Sequence, residues 1–253
     1  MKPLHAAIIS WQGLAQGARH IAQAIDGHVD QLTVVYSNPQ GAPESGPGDW
    51  VSVDNSVFFG GKFQCSITRG EHDIFLLIHA DASCDDWPAL IRRCRAVHAN
   101  DNIGVWAPAI DYTPWLDSRV ELARAPASQL AFVAQTNGIV FSMSKPVIQR
   151  LKELDYSQNN LGWGIDWIAI CYSYANNLHV VRDHSLKLRH PAGSGYQGDL
   201  ARTQMANFLT QMTLQEQLIY TLLNSHIHKQ MITATAQPTI GNSGVPNEQV
   251  VAG

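Results

Sequence analysis

Over the first hundred residues, short unbroken apolar runs alternate with apolar positions at helical spacing. Residues 6–10 make a run too short for a helix and read as a strand. A turn at Gly13 and Gly17 follows, and then Ala18, Ile21, Ala22 and Ile25 recur at i, i+3, i+4, i+7, one face of a helix. Residues 32–36 give a second strand, closing in Ser37-Asn38. A Gly- and Pro-rich loop (39–48) leads to a third short strand at 50–53, and residues 60–69 read as helical. Residues 74–79 are the next strand, and behind it Trp87, Leu90, Ile91, Cys94 and Val97 line one helical face. Strand and helix in this alternation predict a parallel α/β sheet.

The run at 74–79 matters most. Ile74 to Ile78 is apolar without a break, the pattern of a strand buried on both faces. The chain then turns acidic at Asp81, Asp85 and Asp86, with Ser83 among them. In open α/β sheets ligands bind beyond the carboxyl ends of strands. A carboxylate held there can fix a divalent cation against phosphate oxygens. One of Asp85 and Asp86 is expected to cap the helix that opens at Trp87-Pro88, which leaves Asp81 unexplained.

Beyond residue 100 the alternation loosens. Residues 104–110 and 131–141 are strand-like, separated by a Pro-containing stretch with Asp111, Tyr112 and Trp115. Ser144 is expected to cap a helix with Pro146 in its first turn and Val147, Ile148, Leu151 and Leu154 inward. Gly162-Trp163-Gly164 opens another, with Ile165, Ile168, Tyr172 and Ala175 on its apolar face. A strand at 178–182 leads to Arg189-His190-Pro191 and a Gly-rich loop. The end is helical: Met205, Phe208, Leu209 and Met212 form one stripe, and Thr213 and Glu216 have capping-box spacing before a second, Leu214, Leu218, Ile219 and Leu222. From about residue 232 periodicity stops, and residues 232–253 read as a flexible tail.

The chain has 253 residues, 45% of them hydrophobic and 15% charged, which favours one large globular domain over two small ones. A net charge of −4 argues against a dedicated nucleic-acid binder, and Arg92, Arg93 and Arg95 read as a solvated helix face. No apolar run reaches the roughly 20 residues that span a bilayer, so no transmembrane segment is expected. The start of the chain lacks a secretory apolar region. The four cysteines (65, 84, 94 and 171) show no CxxC pairing, so reduced thiols and a cytoplasmic location are expected. Neither GxGxxG nor GxxxxGK[ST] occurs, which argues against a dinucleotide cofactor and P-loop ATP chemistry.

Taken in order, the α/β half, the strand-end Asp81-Ala82-Ser83, a second half and a helix start at Trp163-Gly164-Ile165-Asp166 resemble the GT-A-fold glycosyltransferases over residues 5–192. The resemblance implies a mixed, mainly parallel α/β sheet flanked by helices, with a helical C-terminus. It divides residues 1–231, one domain, into a nucleotide-binding half (1–100), an acceptor half (101–198) and C-terminal helices (199–231). It implies transfer of a sugar from a nucleotide-diphosphate sugar, UDP-sugars favoured, to a hydroxyl of a carbohydrate or other acceptor, with inversion and with Mn²⁺ or Mg²⁺ as cofactor.

The family's strand-end motif is Asp-x-Asp. It carries Asp81 over as a metal and ribose contact and Ser83 as a weakened ligand, because a neutral hydroxyl is a poorer partner for a hard cation than a carboxylate. His190 matches the family's late metal-binding histidine; His184 competes for the role, and a packing histidine is the plain alternative. Asp166 takes the part of general base, beside its ordinary capacity to complement a helix start. Ser10, Trp11, Ser37, Asn38 and Asp54, with Asn55, fall at the nucleotide end. Asp111, Tyr112, Trp115, Asn137, Gly138, Trp163 and Gly164 fall on the acceptor side, Trp163 offering an aromatic face to a sugar ring. Ser83 keeps a second reading open, a non-catalytic nucleotide- or sugar-binding protein that retains the fold. A nucleotidyltransferase is a third, disfavoured because no Gly-rich loop with a basic residue lies in the first 20 positions.

Overall fold

Four apolar runs become β1 (Leu4–Ile9), β2 (Gln31–Tyr36), β3 (Asp49–Ser52) and β4 (Ile74–His79), all mutually parallel. The computed structural model describes residues 1–38, 41, 43–111, 113, 115–124, 126–191 and 197–236, the last four by backbone alone. The second half adds β5 (Ile103–Ile110), β6 (Glu121–Arg124), β7 (Leu130–Val133), β8 (Val140–Ser144) and β9 (His179–Leu188). Together they form one nine-stranded sheet in the order β3-β2-β1-β4-β8-β5-β9-β7-β6. Parallel pairing stops at β4, whose other neighbour β8 runs antiparallel, so the second half of the sheet is mixed.

Burial of β4 on both faces follows from its place between β1 and β8. Phe75 and Leu77 join the core under α2 (Phe59–Ile67), α5 (Lys145–Lys152) and α6 (Ile165–Ala175). Ile74, Leu76 and Ile78 join the opposite core under α1 (Ala15–Ile25) and α3 (Trp87–His98). The stripes read for α1 and α3 are the buried ones. Asp86 caps α3, its carboxylate accepting from the Ala89 N–H at 2.8 Å. The three arginines of α3 are not a free basic face: Arg93 meets buried Asp183 at 2.7 Å, Arg95 meets Asp30 at 2.7 Å and Arg92 lies 3.9 Å from Asp86. All four cysteines are free thiols.

Several local expectations are corrected. Residues 131–141 are not one strand; the chain leaves β7 and turns at Gly138 (φ +68°), where Asn137 accepts the N–H groups of Ile139 and Val140 before β8 begins. Ser144 occupies the N-cap position of α5, but its hydroxyl caps nothing. Thr213 and Glu216 do form the reciprocal capping box, at 2.7 and 3.3 Å. They open α8 (Leu214–Ala236), which follows α7 (Gly198–Leu209). On α8, however, Leu214, Leu218 and Leu222 face solvent; of the expected stripe Ile219 packs against the core, together with Leu223 and Ile227. Buried Glu216 pairs with Arg150 at 2.9 Å and fixes that rotation. The remainder of the tail lies outside the described residues. Among the described residues, no helix is long and apolar enough to cross a membrane.

Candidate active site

β4 delivers the first group. Its last residue, His79, donates its backbone N–H to Ile139 O at 3.1 Å, tying the strand end to the Gly138 turn. Its imidazole packs between the rings of Trp11 and Phe59, at centroid separations of 5.1 and 4.9 Å. Two residues on, Asp81 points to the same place, and His190 arrives from beyond β9 with Nε2 3.4 Å from Asp81 Oδ1. One donor atom from each of His79, Asp81 and His190 lies within 4.8 Å of the others. His79 Nε2 and Asp81 Oδ1 are buried with no hydrogen-bond partner; the 3.4 Å approach of His190 Nε2 is too long for a well-made bond. Buried orphans are costly, and a shared cation would satisfy both. Burial pushes His79 down to about 4, with His190 adding to the effect against Asp81, so its imidazole is neutral and free to ligate at neutral pH. Burial alone would raise the Asp81 carboxyl, but His190 and His79 outweigh it and hold it below its usual range. These residues therefore fit a divalent cation.

Asp166 stands across the same cavity, which has a volume of about 530 Å³. α6 begins at Gly164, whose φ of +94° turns the chain so that Asp166 falls in the first helical turn, facing inward. Gly138 lies beside it: a Cβ there would stand 3.6 Å from Asp166 Oδ2, in ordinary contact. Burial raises the Asp166 carboxyl to about 6, against the N–H groups of Trp167, Asp166 and Gly164, which favour the charged form. Trp115, Trp163 and Trp167 line the cavity with it. The wall is closed by a clamp between α2 and the 159–164 loop: Asn160 Oδ1 accepts the Phe58 N–H at 2.9 Å, and Asn160 O accepts the Gly60 N–H at 2.8 Å.

No protein-family model matches the chain, and no curated protein matches it by sequence. Solved structures match it by shape. GalNAc-T7 with UDP, GalNAc and Mn²⁺ superposes at a TM-score of 0.63 and 10% identity, over 83% of this chain and 48% of its own. This chain thus spans about half of that one. Glucosyl-3-phosphoglycerate synthase from Mycobacterium tuberculosis, in complex with Mn²⁺, UDP and phosphoglyceric acid, gives 0.55 at 13% identity, over 83% and 78%. CMP:2-keto-3-deoxy-manno-octonic acid synthetase with CTP gives 0.50 at 12%, over 83% and 100%. The fold is GT-A. At these identities the likeness assigns no substrate.

Within this GT-A fold the cavity gathers Trp11, Asp81, Trp115, Asn137, Gly138, Trp163, Gly164, Asp166 and His190. Other expected residues lie elsewhere. Ser83 is exposed, its backbone paired with Arg189 in an isolated bridge, and it does not line the cavity. Asp85 is taken up by Arg189. Asp111 does not reach the cavity but accepts the His190 N–H at 3.0 Å, and so positions the histidine. His184 sits beside Asp117 and Arg124, away from Asp81. Asp54 folds onto Ser56, and Asn38 donates to Glu44 at 3.0 Å. Tyr112 lies outside the described residues. Ser10 and Ser37 are both buried around a group the sequence reading overlooked: Lys62 of α2, fully buried, donates at 2.8 Å to Ser10 O and to Ser37 Oγ. Its ammonium lies 5.6 Å from the Trp11 ring centre, and burial lowers it to about 8. Lys62 thus ties the ends of β1 and β2 together beneath Trp11. His79 was also overlooked, because a histidine closing an apolar strand has the pattern of a core residue.

Proposed function

We propose that the protein is a metal-assisted glycosyltransferase that moves a sugar from a nucleotide-diphosphate sugar, UDP-sugars favoured, to an acceptor hydroxyl. One observation carries this reading. A carboxylate near 6 and a His79–Asp81–His190 cluster open onto the same cavity, and no Lys or Arg is among its described lining residues. A diphosphate bound there has no side-chain cation to neutralise it. His79, Asp81 and His190 would hold the cation, and two imidazoles with one carboxylate favour Mn²⁺ over Mg²⁺. The metal, when bound, offsets the negative charge that develops on the leaving diphosphate. Asp166 accepts the proton of the acceptor hydroxyl as its oxygen bonds to the anomeric carbon; the bond from that carbon to the phosphate oxygen breaks, and its electron pair leaves with the nucleotide diphosphate. A base held near 6 is ionised at neutral pH and still strong enough for the task. A base on the face opposite the leaving group gives inversion.

Calorimetric titration with UDP, with and without Mn²⁺, tests the reading. Binding that requires Mn²⁺ is expected, and His79→Ala should weaken it at least ~10-fold, as loss of a metal contact does. Binding indifferent to metal, or no binding, would favour the non-catalytic alternative. Asp166→Asn should bind UDP normally and lower transfer by about 10² or more.

A further inference from the structure

Beyond the His79–Asp81–His190 cluster, the described lining of the cavity that holds Asp166 offers few hydrogen-bonding side chains. Trp115, Trp163, Trp167, Phe58 and Met205 are among the lining residues of that cavity. Indole N–H and main-chain groups aside, the polar side chains among its described lining residues are the His79–Asp81–His190 cluster, Asp166 and Asn137. Asn137 is already engaged by the main chain, donating to Pro108 O at 3.2 Å and accepting from Ile139 N at 2.9 Å.

We propose that the acceptor is an uncharged alcohol whose hydroxyl is carried on an apolar ring or short alkyl body, rather than a sugar or an acid. This rests on the transferase reading and narrows it. A sugar can stack on tryptophan, but its edge hydroxyls then need partners. Each one buried without a partner costs roughly 1–3 kcal/mol, and Asp166 can serve only the hydroxyl that reacts. An anionic acceptor would enter without a lysine or arginine in the described lining and would face the charges of Asp166 and Asp81. An apolar body instead packs on the indole faces and edges, worth about 0.5–1.5 kcal/mol per aromatic pair beyond its area. It also expels water from beside the carboxylate.

Four tryptophans line the cavity, so quenching of intrinsic fluorescence reads its occupancy in the full chain. Three probes separate the cases: 2-phenylethanol, phenylacetate of nearly the same shape, and methyl α-glucoside. The alcohol is expected to bind at least ~10-fold more tightly than either other probe, a difference of about 1.4 kcal/mol. Phe58→Lys, at a position 40% exposed and so tolerant of charge, should reverse the preference between alcohol and acid; Met205→Lys should do the same, with thermal melts confirming that both variants fold. Glucoside or phenylacetate binding as tightly as the alcohol overturns the proposal. So does alcohol binding that folded lysine variants leave unchanged, because the probe is then bound elsewhere. UDP titration with Mn²⁺ on the same sample keeps the two readings apart: UDP binding with glucoside preferred sinks only the apolar acceptor, whereas alcohol binding without UDP binding sinks the transferase and, with it, the alcohol's role as acceptor.

Discussion

Asp166 answers to two opposed requirements. As the proposed base it would have to be ionised near neutral pH, yet burial favours its protonated form and raises it to about 6. In the unfolded chain the carboxyl titrates near its ordinary value of about 3.9. Between the two values the folded protein holds the proton that the unfolded chain has lost, so stability falls as pH rises through this window, and the full penalty persists above it. Asp166→Asn, which keeps an oxygen for the Trp167 N–H, is therefore expected to stabilise the fold at pH 7 by roughly 1–3 kcal/mol and to change little at pH 3. Urea denaturation at the two pH values checks this; equal effects at both would place the carboxyl in water. Activity should rise with pH through about 6. Asp166 and Asp81 were legible because a helix start and a strand end announce where a side chain will stand. Ser83 and Asp111 were not placed by spacing, because long-range backbone contacts, the Ser83–Arg189 bridge and the Asp111–His190 bond, decide where they face. Lys62 was invisible for a related reason: only the tertiary fold supplies the two oxygens that allow an ammonium to be buried.

At the scale of elements, the α/β half was readable because its strands are buried on both faces and its helices on one, so period and burial agree. α8 shows where such reading fails. Leu214, Leu218 and Leu222 repeat at i, i+4, i+8 and look like a core face, but the buried stripe runs through Glu216, Leu223 and Ile227, and a charged residue disguises it. The Arg150–Glu216 contact, which also brings Arg150 Nη2 to Gln211 O at 2.6 Å, selects this face. Leu218→Glu is thus expected to change stability by no more than about 0.5 kcal/mol, whereas Glu216→Gln, which removes the charge from the buried end of the Arg150 pair, should cost roughly 1–3 kcal/mol. The reverse order in denaturant melts would mean that α8 packs by its leucines. Gly60 makes a similar point for the site wall. A Cβ there would fall 1.8 Å from Asn159 O, so the α2–loop clamp requires glycine and Gly60→Ala should unseat it.

Across the whole molecule, the His79–Asp81–His190 cluster draws its side chains from both halves of the sheet. His79 ends β4 of the parallel half and Asp81 follows it, and His190 follows β9, beyond β8 and β5 in the sheet order. A cation held by all three would cross-link segments more than a hundred residues apart in the chain and would favour the folded state, because unfolding scatters the set. Linkage then fixes both the sign and the size of the effect. At a hundred times its dissociation constant, Mn²⁺ should add about 2.7 kcal/mol to the unfolding free energy. For a domain of this length each kcal/mol moves the melting temperature by about 2–4 °C, so a rise of roughly 5–10 °C is expected, reversed by a chelator. His190→Ala should abolish the shift, since it removes the only one of the three ligands carried by the second half. Ser83→Ala should preserve it, because that side chain faces solvent. A shift that survived the loss of His190 would show that the metal sits on the first half alone, and the two halves would then meet at the cavity without being joined by the ion.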